Sequence, residues 1–213
     1  MKIALISPYD FAFSSGVNNN VIHTAACFRE WGHDVTVIGP CSDDEAPLPP
    51  HFISALGGVV SIPFAGSMAR VNLSPRVYRQ AKKLLQQHQF DVIHLHEPMT
   101  PALPLAVLRH APLCPRALIV GTFHACRESS ASYYYGKPIL KRFFKRLDGR
   151  IAVSPDARDY ITSYFPGEYV IIPNGIDVKG FGDDQVKPWP CYQDGKLNIL
   201  FVGRLEKRKG FRF

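Results

Sequence analysis

The chain alternates short apolar runs with amphipathic stretches from its first residues onward. Lys2 to Ser7, Asp34 to Gly39, Val59 to Pro63, Phe90 to His96, Ala117 to Phe123, Gly149 to Ser154 and Tyr169 to Pro173 are rich in Ile, Leu, Val and Phe and bounded by polar residues, Gly or Pro. Such near-continuous runs predict strands covered on both faces, since a strand with one wet face alternates apolar and polar residues. Between them lie helical patterns. Asn18 to Trp31 sets Val21, Ile22, Ala25 and Phe28 at helical spacing and stops at Gly32. Ser74-Pro75 reads as an N-cap with proline in the first turn, opening a helix to about His88. A proline-interrupted helix reaches about Arg109, a basic helix spans Lys137 to Leu147, and a third covers Pro155 to Tyr164. Cys41 to Pro50, with its acids and prolines, reads as a loop. Strand and helix in alternation predict an α/β protein: a Rossmann-like, doubly wound, mostly parallel sheet.

The alternation lapses after residue 176. Residues 1–176 are expected to form one domain, and 177–196, rich in Gly, Pro and Asp, a linker. Residues 197–213 read as a strand, Leu197 to Val202, then the basic turn from Gly203 to Gly210, the opening of an incomplete second domain.

In an open parallel sheet ligands bind beyond the carboxyl ends of the strands, and the chemically unusual residues fall there: Asp10 to Val17, Arg70, His96-Glu97-Pro98, His124, Ser154-Pro155 and Asn174-Gly175. Ser14-Ser15-Gly16-Val17 follows the first strand and opens the first helix. Glycine there lets backbone approach a sugar or phosphate, and a helix N-terminus favours an anion. It is not GxGxxG, so a nicotinamide cofactor is not indicated. His94 and His96 share a strand face beside Glu97, but no third imidazole or thiolate has ligand spacing, and no metal is expected. His124 ends its strand at the crevice mouth, where an imidazole can donate or accept near neutral pH. Arg204 and Lys209 fit a diphosphate, the first as a planar fork and the second as a point charge, or else belong to a solvated basic tail.

Charge and composition narrow the partners. The formal net charge of +7 favours anionic ligands. No nucleic-acid module is visible, so nucleic acid is not an expected partner. Five cysteines, odd in number and never spaced CxxC, argue for reduced thiols in a cytoplasmic protein rather than disulfides or zinc. No apolar run of about 18 residues suggests a membrane span. The helix from Ser74 to His88 carries Arg76, Arg79, Lys82 and Lys83 around an apolar stripe, suiting an acidic membrane surface. Lys137, Lys141, Arg142, Lys145 and Arg146 form a second basic cluster.

Taken together these stretches resemble the retaining glycosyltransferases with two Rossmann-like domains (the GT-B fold, here its subfamily 4-like N-terminal domain), and within them the phosphatidylinositol mannosyltransferase group. The matching segments are Ser7-Pro8-Tyr9, Gly16-Val17, Gly32-His33-Asp34-Val35, Gly66 to Arg70, Asp91 to Pro98, Thr122-Phe123-His124, Gly149 to Ser154, Ile172 to Asp177, Gly203-Arg204 and Lys209-Gly210. The resemblance implies transfer of mannose from GDP-mannose to a phosphatidylinositol-like lipid or related acceptor, with retention and without metal or cofactor. It implies that Gly16, Arg204 and Lys209 meet the donor, Tyr9 and Arg70 hold the acceptor head group, and His124 contacts the donor sugar near the reacting carbon. It also implies that Arg79, Lys82 and Lys83 seat the protein peripherally on the inner face of the plasma membrane. The chain departs from the family in having Ser15 before Gly16 where a second glycine is usual, and Ala65 where close relatives carry Asn. No pair of glutamates seven residues apart, which in the family holds ribose and sugar, follows Lys209. The rival reading is a non-catalytic lipid- or sugar-binding fragment, or half of a split enzyme completed by a partner chain.

Overall fold

A computed structural model describes residues 1–55, 57–64, 67–126, 130–178, 189–203 and 210. They fall into two units, Met1–Gly175 and Ile176–Phe213. In the first, β1 (Lys2–Ile6), β2 (Asp34–Gly39), β3 (Phe52–Ser54), β6 (Val92–His96), β7 (Leu118–Phe123), β8 (Gly149–Ala152) and β9 (Val170–Ile171) form one sheet in the order β3-β2-β1-β6-β7-β8-β9. Every pairing in it is parallel. β4 (Val59–Phe64) and β5 (Ser67–Asn72) make a separate antiparallel hairpin. The helices are α1 (Gly16–Glu30), α2 (Arg76–Gln87), α3 (Leu103–His110), α4 (Ala131–Phe144) and α5 (Pro155–Tyr164).

Alternate residues of β1 feed opposite layers. Ile3 and Leu5 join Val21 and Ala25 of α1 and Val35 and Val37 of β2. Ala4 and Ile6 join the larger cluster, with Val77 and Leu85 of α2, Ala106 and Leu108 of α3, Leu140 of α4 and Ile161 of α5. β1, at the centre of the sheet, is thus covered on both sides, which is why its sequence reads as an uninterrupted apolar run. Serine caps set three helix starts. Ser15, Ser130 and Ser154 accept from the N–H of Asn18, Tyr133 and Ala157 at 3.1, 3.2 and 3.1 Å, each worth about 1 kcal/mol. Gly32, at φ +80°, takes the left-handed turn that ends α1.

The chain leaves β1 toward β2 and β6 toward β7, in opposite directions across the sheet. The two central strands therefore splay their following loops apart and open a crevice at their carboxyl ends.

Three features differ from the sequence expectation. β3 and β5 are additional strands. β5, Ser-Met-Ala-Arg-Val-Asn, is half polar, without an unbroken apolar run, and pairs with β4 from Val59 opposite Asn72 to Phe64 opposite Ser67. α4 starts at Ala131, ahead of Lys137, and carries Pro138 inside it. In the second unit Leu197 to Val202 is not a strand. Residues 197–202 run irregularly, with Leu197 90% and Val202 83% exposed. A strand persists only where its backbone groups find a ladder partner. The basic turn, with Arg204 and Lys209, lies outside the described residues.

Candidate functional site

The crevice is built first from the loop after β1. Ser7 and Asn18 are both buried polar residues, and the Ser7 hydroxyl donates to Asn18 Oδ1 at 2.7 Å. Asn18 Nδ2 in turn donates to the carbonyl of Asp10 at 2.9 Å. The first turn of α1 thereby grips the loop from Ser7 to Asp10. Gly16 opens this helix, and a Cβ built on it meets no atom within 4 Å. Neither packing nor a left-handed backbone demands glycine here.

Asp10 joins the hairpin to this loop. Its side chain is fully buried, with Oδ2 3.0 Å from Arg70 Nε and 2.7 Å from the Ser42 hydroxyl. Its Oδ1 accepts from the N–H groups of Ser42 and Ala12 at 2.9 and 3.2 Å. Burial works against the charge of Asp10, but the bonds from Ser42, Arg70 and the two N–H groups outweigh it and hold the carboxyl below its ordinary value. Arg70 also lies 4.0 Å over the ring of Phe13. Tyr9 forms an isolated antiparallel bridge with Val71, and Asp10 N–H donates to the Arg70 carbonyl at 3.0 Å. Tyr9 and Arg70 are thus neighbours at the rim. Burial, and after it the Glu97 carboxyl, raises the Tyr9 phenol well above its ordinary value.

The second half of the rim comes from β6 and β7. His94 and His96 stack at 4.5 Å between ring centroids, and His96 and His124 at 5.2 Å. His96 Nδ1 and His124 Nε2 share a hydrogen bond of 2.9 Å, and His94 Nε2 one of 2.7 Å with the Thr122 hydroxyl. The sequence hides this third imidazole, because it arrives from the next strand. The rings stack instead of converging, and among the described residues no group of three or more His, Cys, Asp and Glu side chains is placed to hold a metal ion.

Glu97 organises this end. It follows β6 with φ +49° and is 1% exposed. Its Oε1 accepts from the N–H groups of His124 and Ala125, both at 2.7 Å, clamping the chain where it leaves β7. Burial pushes its carboxyl up to about 7, against those two bonds. Burial also holds His94 and His124 at about 4 and His96 well below its ordinary value. All three imidazoles are therefore neutral near pH 7. Glu97 Oε2, His96 Nε2 and His124 Nδ1 are buried and have no hydrogen-bond partner, leaving unspent polar capacity at the crevice.

Tyr9, in the loop after β1, and His124, just after β7, thus lie beyond the carboxyl ends of strands two places apart in the sheet, about 10 Å at ordinary strand spacing. Gly16 opens α1, and Arg70 is not at an end of that sheet but within β5 of the separate hairpin, tied to the β1 loop through Asp10. The Asp10–Ser42–Arg70 clamp and the Glu97 grip on residues 124–125 were not assigned from sequence. Arg79, Lys82 and Lys83 sit apart, on the outer surface of α2, whose Val77, Ala81, Leu84 and Leu85 are buried. Arg79 and Lys83, with Arg76, Gln80 and Ile53, line a surface groove of about 490 Å³. Among the described residues no helix is long and apolar enough to cross a membrane.

Comparison with known proteins agrees with this architecture. The model of Glycosyltransferase Family 4 matches residues 14–179. The phosphatidyl-myo-inositol mannosyltransferase of Mycolicibacterium smegmatis is 36% identical over 99% of this chain and 53% of its own length. That of Mycobacterium tuberculosis is 39% identical over 99% and 54%, and that of Propionibacterium freudenreichii 35% over 99% and 56%. The chain spans about half the length of the curated relatives it matches. Among solved structures, the lipopolysaccharide outer core galactosyltransferase WaaB superposes with a TM-score of 0.57 at 11% identity, over 84% of this chain and 47% of its own. An alpha-glucosyltransferase in complex with UDP does so at 0.52 and 14%, over 84% and 45%. At such identities the likeness is one of fold.

Proposed function

The chain belongs to Glycosyltransferase Family 4, and we propose that it is the acceptor-binding part of a mannosyltransferase that moves mannose from GDP-mannose to a phosphatidylinositol-like lipid with retention of configuration. The observation that carries this reading is identity of 35–39% to phosphatidyl-myo-inositol mannosyltransferases along 99% of the chain. The rim geometry supports it. Arg70 is held by Asp10 through Nε as a planar, partly exposed cation, and the main chain of its strand neighbours that of Tyr9, whose phenol stays protonated. That pair suits a phosphodiester and a neighbouring inositol hydroxyl.

His124, neutral and clamped through its backbone by Glu97, orients the donor sugar; Gly16 leaves room for the donor at the N-terminus of α1, where helix N–H groups favour a diphosphate. In this proposal Arg204 and Lys209 neutralise the departing diphosphate. Catalysis is then chiefly positioning, together with electrostatic stabilisation of the leaving group. Arg79, Lys82 and Lys83 place α2 against the acidic inner face of the plasma membrane, so that the acceptor head group meets the rim without leaving the bilayer.

The test follows radiolabelled mannose from GDP-mannose into phosphatidylinositol vesicles, and in parallel measures calorimetric binding of the soluble head group, glycerophosphoinositol. Head-group binding lost in Arg70→Ala supports the acceptor site; binding unaffected by that change refutes it. Mannose transfer abolished by His124→Ala supports the proposed role of His124, and near-normal transfer by that variant removes it from the mechanism. Head-group binding without transfer would assign this chain the binding role alone, with a partner chain completing the donor side.

A further inference from the structure

The layer formed by α2, α3 and α4 contains no aspartate or glutamate in any of its three helices. Where α3 meets α4, Arg109, Arg142 and Arg146 line a groove of about 470 Å³ whose remaining walls are Ile139 and Phe143. We infer that this groove seats the phosphate of an anionic phospholipid, as a bilayer contact separate from the acceptor rim.

Three observations converge on it. First, the cations face one another uncompensated. Among the described residues the ion pairs are Arg70–Asp10, Arg158–Asp159 and Lys196–Asp194, and none involves the groove. The field is felt at His110, whose imidazole is held down by burial and then by Arg109, Lys82 and Arg146. Second, the groove is braced. Arg146 Nη1 donates to the carbonyls of Leu108 and Arg109, the latter at 2.9 Å, which ties the segment after α4 to the C-terminal turn of α3. That guanidinium is held by the carbonyl end of α3, which offsets part of its charge, and none of the ion pairs above involves it. Arg109 and Arg142 are exposed beside it.

Third, the groove has an apolar lip. Tyr135, Ile139, Arg142 and Arg146 recur at helical spacing and form one stripe, with Tyr135 80% and Ile139 67% exposed. Cations alone serve any polyanion. Cations continued along the same stripe by an exposed aliphatic and an aromatic side chain match a bilayer, where phosphate and glycerol–acyl boundary lie side by side. This separates a lipid from duplex nucleic acid, which offers phosphate without that boundary.

The experiment is vesicle partitioning of the whole chain, using phosphatidylcholine with and without about one third phosphatidylglycerol. Arg109→Gln/Arg142→Gln changes only exposed side chains, and an unaltered thermal midpoint verifies its fold. From the usual contribution of a near-surface cation, the double variant should partition roughly 30-fold more weakly into the anionic vesicles. Ile139→Asn should weaken the binding that persists at high salt. Partitioning equal to wild type in the double variant overturns the proposal. So does full competition by millimolar inorganic phosphate, which would make this a soluble-anion site, or selective loss of DNA binding with vesicle binding intact. A separate Arg79→Gln/Lys82→Gln/Lys83→Gln variant distinguishes this surface from the α2 contact proposed above. Binding lost there and kept in the groove variant sinks this inference alone. The reverse pattern sinks the α2 contact alone, and a chain that ignores anionic vesicles sinks both.

Discussion

Burying three imidazoles and a carboxyl side by side makes the stability of this fold depend on pH in a calculable way. His94 and His124 are held at about 4 against an ordinary 6.5, with His96 lower still, while Glu97 is raised from 4.5 to about 7. The signs oppose. Depressed histidines stabilise the fold above their ordinary value and lose that contribution as pH falls toward 4. Raised Glu97 contributes below its ordinary value and loses it as pH rises through about 7. At about pH 5.5 the unfolded chain binds roughly 2.7 protons on the three histidines that the folded chain excludes, and the folded chain binds roughly 0.9 more on Glu97. The net of roughly 1.8 protons, at about 1.4 kcal/mol each per pH unit, lowers stability by roughly 2.5 kcal/mol per unit. Across the window from pH 7 to 5 the loss comes to about 3 kcal/mol, a large share of an ordinary domain's stability. Near pH 7.5 the opposing contributions cancel and the profile is level. Urea unfolding at intervals between pH 5 and 8 reads this directly. Glu97→Gln supplies an internal check: it removes the compensating carboxyl and should steepen the slope at about pH 5.5 to roughly 3.7 kcal/mol per unit. Stability that stays constant from pH 7 to 5, or a slope that Glu97→Gln leaves unchanged, refutes the reasoning.

Asp10→Ala should destabilise the chain by about 2–4 kcal/mol in urea titration and release the hairpin at residues 59–72, read as faster amide exchange there. Because Arg70 is 37% exposed, most of that cost comes from the orphaned Ser42 and Ala12 N–H groups and little from the ion pair. Gly39→Ala should cost about 1–3 kcal/mol, since the added methyl would lie within 2.7 Å of Phe11 Cδ2 and 3.2 Å of the Ser7 carbonyl; an unshifted thermal midpoint would show that Phe11 yields freely. Ser154→Ala should lower stability by about 1 kcal/mol through loss of the α5 cap, measured as a shift in urea midpoint without change in slope.

The parallel sheet is legible because burial on both faces leaves a plain mark, the unbroken apolar run, and β2 and α5 fall at Asp34–Gly39 and Pro155–Tyr164, where the pattern puts them. β5 left no such mark. It is held by β4 and by one bridge to Tyr9, and pairing energy is invisible in a local pattern. α4 begins at Ala131, behind the Ser130 cap and six residues ahead of the basic run that suggests it, and carries Pro138 inside it. At the site, the pattern places His124 at a strand's carboxyl end and Gly16 at the start of the helix after β1, but Arg70 lies within β5 of the separate hairpin and not at the end of a sheet strand. Topology does not show which side chain supports which. The Asp10–Arg70 contact spans sixty positions and the Glu97 grip on His124 twenty-seven. Glu97 looked from sequence like a companion of His94 and His96. The left-handed backbone at that residue instead turns its carboxyl onto the chain that follows β7.

The β4–β5 hairpin stands outside the main sheet and meets it through the Tyr9–Val71 bridge, the Asp10–Arg70 main-chain bond and one buried carboxylate. It is in effect a cartridge. Under the proposed acceptor role of Arg70, evolution that exchanges the hairpin's strands for others would alter the acceptor held, while the seven-stranded platform keeps its register. A protein engineer can do likewise, transplanting a foreign hairpin onto this platform provided the arginine at its base still finds Asp10.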